Sequence, residues 1–154
     1  MWDPTSPVTG AAQTGFTGPT YSFVADTAPD SNGKQVAVTA LGGTQVGVTT
    51  HSGSAPFTGT FTRPKVIKSL GRANPQTGLV GSVPRNTYKL ITRKAVLPLL
   101  GQPLTTMLVT TTIEVPAGAD VADAPNIKAA LSFHIGLLTD QSNEVGDSAV
   151  SGIM

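Results

Sequence analysis

Threonine and valine recur through residues 21–116 in short runs punctuated by glycine and proline. After Pro116 the apolar spacing switches from two residues to three and four. β-branched residues in alternation suit pleated strands, and a change of period marks the passage from sheet to helix. This confines the chain to an α+β plan, with an antiparallel sheet first and helices last.

Strands are expected over 21–27, 34–40, 45–50, 58–70, 86–97 and 105–115. The Pro-Asp-Ser-Asn-Gly run at 29–33 is a turn, because proline fixes φ and Asn-Gly tolerates positive φ. Gly42 and Gly43 are expected to break the second strand from the third. Pro64 interrupts the fourth, which places that strand at an edge or a bulge, since proline cannot donate to a ladder. Residues 71–84 form a Gly/Pro/Asn-rich connection and 98–103 a short apolar loop. In the last strand Met107, Val109, Thr111, Ile113 and Val115 share one face, while Thr106, Leu108, Thr110, Thr112 and Glu114 share the other. Residues 1–20 read as an extended arm, with Trp2 and Phe16 available to dock on the sheet or on a neighbour. Residues 21–154 are expected to form one domain.

Two helices are expected, over about 124–139 and 144–153. Asp120 or Asp123 can cap the first, and Pro125 suits its first turn. Ile127, Leu131, His134 and Leu138 make an apolar stripe that Phe133 and Leu137 widen beyond one side. Such a helix needs a second surface besides its own sheet. Charged residues make up only 12% of the chain, about half the usual fraction. Both observations imply a surface covered by further copies of the chain.

The charges that exist are segregated. Residues 31–113 contain no acidic residue and nine of the ten basic ones: Lys34, Arg63, Lys65, Lys68, Arg72, Arg85, Lys89, Arg93 and Lys94. The flanks hold all nine acids and Lys128. The formal net charge of +1 conceals this division, which points to a polyanionic partner for the middle of the chain.

Other chemistries lack candidates. With no cysteine, disulfides, thiolate nucleophiles and Cys-ligated zinc are excluded. His51 sits in a Thr/Ser/Gly loop and His134 in the apolar helix, far apart and without nearby carboxylates. The glycine-rich segments match no phosphate-loop pattern, and no paired carboxylates occur in the sheet region. No enzyme, cofactor or metal is expected. No apolar run is long enough to cross a membrane. The first residues lack the pattern of a signal peptide, so the cytosol is the default expectation.

The run Tyr88-Lys89, the Thr-rich strand ending Ile113-Glu114-Val115-Pro116, the helix ending Gly136-Leu137-Leu138-Thr139-Asp140 and the segment Ser148-Ala149-Val150-Ser151-Gly152-Ile153-Met154 follow a familiar order. In element order over residues 21–154 the chain resembles the coat proteins of the small single-stranded RNA bacteriophages, the levivirus-like group. The first twenty residues look like an extension that familiar members lack.

The resemblance implies an N-terminal β-hairpin, a five-stranded antiparallel sheet and two helices that cross onto a twin's sheet. The result is an intertwined homodimer with a ten-stranded sheet. Dimers build an icosahedral shell in the bacterial host cytoplasm. The inward sheet face binds single-stranded genomic RNA, including a hairpin that acts as a translational operator. By the same matching, the residues facing RNA are Lys65, Ile67 and Ser69; Thr87, Lys89, Ile91 and Arg93; and Thr106, Leu108, Thr110 and Thr112. Family members that read an operator adenine offer Thr/Ser pairs and a stacking Tyr there. Here Ile67 and Leu108 take expected polar positions, and Tyr88 falls on the helix side. Lys68 and Lys94 fall on the nominally apolar face, through a bulge or at strand ends. Two classes of function follow: a virion shell protein that packages RNA, or a nonviral RNA-binding module using the same basic face.

Overall fold

A computed structural model describes all 154 residues. Six strands form one antiparallel sheet in the order of the chain: β1 (Val8–Thr9), β2 (Thr17–Asp26), β3 (Gly33–Thr44), β4 (Phe57–Thr62), β5 (Arg85–Val96) and β6 (Thr105–Pro116). Three helices follow, α1 (Ala119–Ala122), α2 (Ala124–Asp140) and α3 (Ser142–Ser151). The sheet-then-helix order is as expected. The residues predict six or seven strands and the resemblance a hairpin before a five-stranded sheet; the six strands here form one sheet, and a one-turn helix precedes the two anticipated.

Three strand limits differ from expectation, each for a backbone reason. Strand β3 runs through Gly42 and Gly43 rather than breaking there, and 45–50 is a turn. Gly43 takes φ 71, and a Cβ on it would collide with the carbonyls of Thr17 and Gly18. Glycine therefore lets β2 and β3 stay paired across a register shift. Strand β4 stops at Thr62 instead of reaching residue 70. Arg63 N still donates to Asn32 O at 3.1 Å, but Pro64 has no N–H to offer, and pairing ends. Residues 1–20, expected as an arm, contain β1 and the first residues of β2.

Strands β5 and β6 pair without a break from Arg85↔Pro116 to Val96↔Thr105. Strand alternation therefore gives the sheet an apolar face and a polar face. The N-terminal segment lies on the apolar one. There Trp2 stacks on Phe61 with ring centroids 5.8 Å apart, and Phe61 on Tyr88 at 6.4 Å. Ser6 Oγ accepts from Phe23 N at 3.0 Å. Further along, Gln13 Nε2 donates to Ser142 O and Oγ at 2.8 and 2.7 Å, and Thr14 Oγ1 to Asp147 Oδ2 at 2.8 Å. These bonds hold α3 to the β1–β2 connection.

Little is buried. Nine of 154 residues are inaccessible, among them Ala37, Val38, Thr58, Thr60 and Ala95. None lies in α2, where Phe133 is 69% exposed. The accessible surface is 10753 Å², whereas a compact monomer of 15.7 kDa exposes about 7,300 Å². The excess is on the order of 3,500 Å², the scale of an obligate interface. Much of it is apolar side chain, on α2, on β6 and on the 97–104 loop, where Leu100 is 89% exposed.

Candidate nucleic-acid interface

The polar face draws on four strands. From β5 come Thr87, Lys89, Ile91 and Arg93. They pair with Glu114, Thr112, Thr110 and Leu108 of β6, and Thr106 stands opposite Ala95. These eight predicted residues share one face because neither strand contains glycine or an interior proline to disturb the alternation.

Lys65, Ile67 and Ser69 do not join them. They lie past the end of β4, in the irregular segment between β4 and β5. Lys65 Nζ pairs with Asp30 Oδ1 at 3.0 Å. Ile67 is 58% exposed. The β4 contribution to the polar face is instead Thr58, Thr60 and Thr62, paired with Arg93, Ile91 and Lys89. A signal for them existed. Phe57 and Phe61 must share the apolar face, which sends the even-numbered threonines to the other side. Strand β4 thus supplies threonine hydroxyls to this face, and Ile67 is not on it. Tyr88 lies on the apolar face as expected, and Leu108 lies on the polar one.

Thr60, Thr62, Thr87, Lys89, Ile91 and Arg93, with Pro29, Asp30 and Asn32 at the rim, line a depression of about 450 Å³. A chain of hydrogen bonds crosses the sheet beneath it. Arg93 Nη1 donates to Thr60 Oγ1 at 3.0 Å, and Thr60 Oγ1 donates to Gln35 Oε1 at 2.7 Å. Gln35 Nε2 donates to Asp26 Oδ2 at 2.6 Å and to Thr27 O at 3.4 Å. The Gln35 hydrogen bond and that from Thr27 N hold the Asp26 carboxyl below its ordinary value.

Charge on this face is partly self-neutralised. Arg85 Nη1 meets Glu114 Oε2 at 3.2 Å, and Asp30 is taken by Lys65. Lys89 and Arg93 have no acidic partner. These two are the free cations of the depression.

The two lysines that broke the parity rule are also placed. Lys94 lies on the apolar face with no bulge in β5. Its Nζ sits 5.0 Å from the centre of the Phe57 ring and donates to Thr49 Oγ1 at 2.9 Å. Burial pushes this ammonium below the ordinary lysine range. Lys68 is off the sheet. Its backbone N donates to Asn86 Oδ1 at 2.8 Å, and its carbonyl accepts from Asn86 Nδ2 at 3.0 Å. His51 is a loop residue whose Nδ1 accepts from Phe57 N at 3.1 Å. His134 borders an apolar groove of about 400 Å³ between β6 and α2.

No protein-family model matches the chain, and no curated protein does. Among solved structures, the virus-like particle of bacteriophage ESE020 matches 100% of this chain and 100% of its own, with TM-score 0.97 and 57% sequence identity. At that identity over both full lengths, the chain belongs to the family of bacteriophage capsid proteins to which that particle's subunit belongs.

Proposed function

We propose that this chain is the coat protein of a levivirus-like single-stranded RNA bacteriophage. It pairs with a second copy, assembles into an icosahedral shell and holds RNA on the inward, polar face of its sheet. The full-length likeness to a virus-like-particle subunit carries this reading. The role is structural rather than enzymatic.

Physical features support each step. The excess surface of a single chain is relieved when a copy covers the apolar face and α2. Strand β6 is a sheet edge twelve residues long with no proline before its last position. An edge of that length is a template for strand pairing. Two copies joined there would contribute β2–β6 each, giving ten principal strands. The polar face offers Lys89, Arg93 and threonine hydroxyls to phosphates and riboses. The protein would reside in the virion after assembly in the bacterial cytoplasm.

Expression in bacteria followed by electron microscopy tests the reading. Regular closed particles containing nuclease-protected RNA are expected. A soluble monomer under all conditions would refute the shell, and empty particles alone would refute the RNA-binding face.

A further inference from the structure

The hydrogen-bond chain under the polar face has a fixed direction, and that direction constrains what the depression recognises. Asp26 Oδ2 and Thr27 O can only accept. They fix Gln35 with its Nε2 toward them and its Oε1 toward Thr60. The Thr60 hydroxyl must then give its proton to Gln35 and turn a lone pair toward Arg93, which can only donate. Thr60 is 1% exposed and engaged on both sides. It is a strut, not a reader. Asn32 Nδ2 is committed to Arg63 O, and its Oδ1 is inaccessible. Asp30 gives one carboxylate oxygen to Lys65.

What remains open to a ligand is the Lys89 ammonium, the unused N–H groups of Arg93 and the rotatable hydroxyls of Thr62 and Thr87. At the rim Asp30 keeps its second carboxylate oxygen, but the floor around Lys89 and Arg93 holds no fixed acceptor, whereas telling adenine or cytosine from other bases there needs one for the exocyclic amine.

We propose that this depression is a phosphate cradle that holds RNA by its backbone with little regard to base, with Gln35 and Asp26 as the positioning residues that pin Arg93 for that task. The inference rests on the RNA-binding reading of this face and narrows it to packaging rather than operator reading.

The test is filter binding of the full-length protein, dissociated from particles and freed of host RNA, to twelve-nucleotide oligo(A), oligo(C), oligo(U) and a guanine-rich oligomer across a salt series. Affinities within about threefold of one another are expected, with a steep and common salt slope. Gln35→Leu should weaken all four equally, by about fivefold for one lost positioning contact. Arg93→Ala added to it should cost less than Arg93→Ala alone. Asp26→Leu, which removes the acceptor that orients Gln35, should weaken all four together by less than Gln35→Leu, with the denaturation midpoint measured beside it to separate positioning from folding. A preference above about thirtyfold for one base, guanine included since arginine can read it, would overturn the cradle while leaving RNA binding intact. No binding to any oligomer would overturn the RNA reading itself. The wild-type comparison decides between these even if Gln35→Leu does not fold.

Discussion

The two faces of this sheet come from the same strands and are finished to different degrees. On the polar face, Asp26, Gln35, Thr60 and Arg93 satisfy one another within a single chain. On the apolar face, only the β2–β4 side receives an internal cover, from Trp2 and its neighbours. The β6 side keeps Met107 and Val109 half-exposed. Directional bonds can be closed by a few well-spaced side chains, but apolar area must be covered by more chain. A 154-residue chain whose longest helix buries no side chain cannot supply that cover itself.

The largest expected effect attacks the unfinished face. Phe133→Asp puts a charge where a second copy is expected to pack, and burying it unpaired costs several kcal/mol. Particles should vanish from micrographs; normal particles would mean that α2 stays uncovered. The next targets the finished face. Lys89→Ala with Arg93→Ala should lower the log–log salt slope of RNA binding by about 2, with particles still forming. An unchanged slope would remove both residues from the interface.

Smaller effects probe the joints between the faces. Asn86 is buried and clamps Lys68 through both side-chain atoms. Asn86→Ala should cost about 2 kcal/mol and make residues 63–84 more susceptible to protease. Trp2→Ala should cost about 1 kcal/mol through lost stacking, read as a lower denaturation midpoint. The smallest concerns Lys94, whose folded pKa lies below its unfolded value of 10.5 because of burial. The unfolded state then binds more protons in the window just below that value, so stability rises with pH there. Lys94→Met should flatten that rise, and an equal slope in both proteins would assign it to other groups.

How far the sequence carried the reading depended on what interrupts each strand. β5 and β6 were legible to within a residue or so, and so was the side taken by each of their residues, because alternation is uninterrupted there. The strand expected over 58–70 runs eight residues past β4 because Pro64 is taken there as the mark of an edge or a bulge rather than as the strand's end. That one reading moved Lys65, Ile67 and Ser69 onto the face and left Thr60 and Thr62 off it. Gly43 misled in the opposite sense, since two glycines look like a break when the positive φ serves close strand approach. The Gln35–Thr60–Arg93 chain was not legible. It joins a directly opposed pair, Gln35 and Thr60, to a diagonal neighbour, Arg93, across three strands, and registers between strands are not written in any one of them.

The bonds from Gln13 and Thr14 to α3 have a consequence in time. Gln13 is separated from Ser142 by 129 positions. At bacterial rates of synthesis, the first of these residues emerges roughly ten seconds before the second. The sheet can form strand by strand as it leaves the ribosome, since each strand pairs with the one just made. The α3 anchor cannot close until nearly the whole chain has been translated. Helices and β1–β2 connection are therefore joined last.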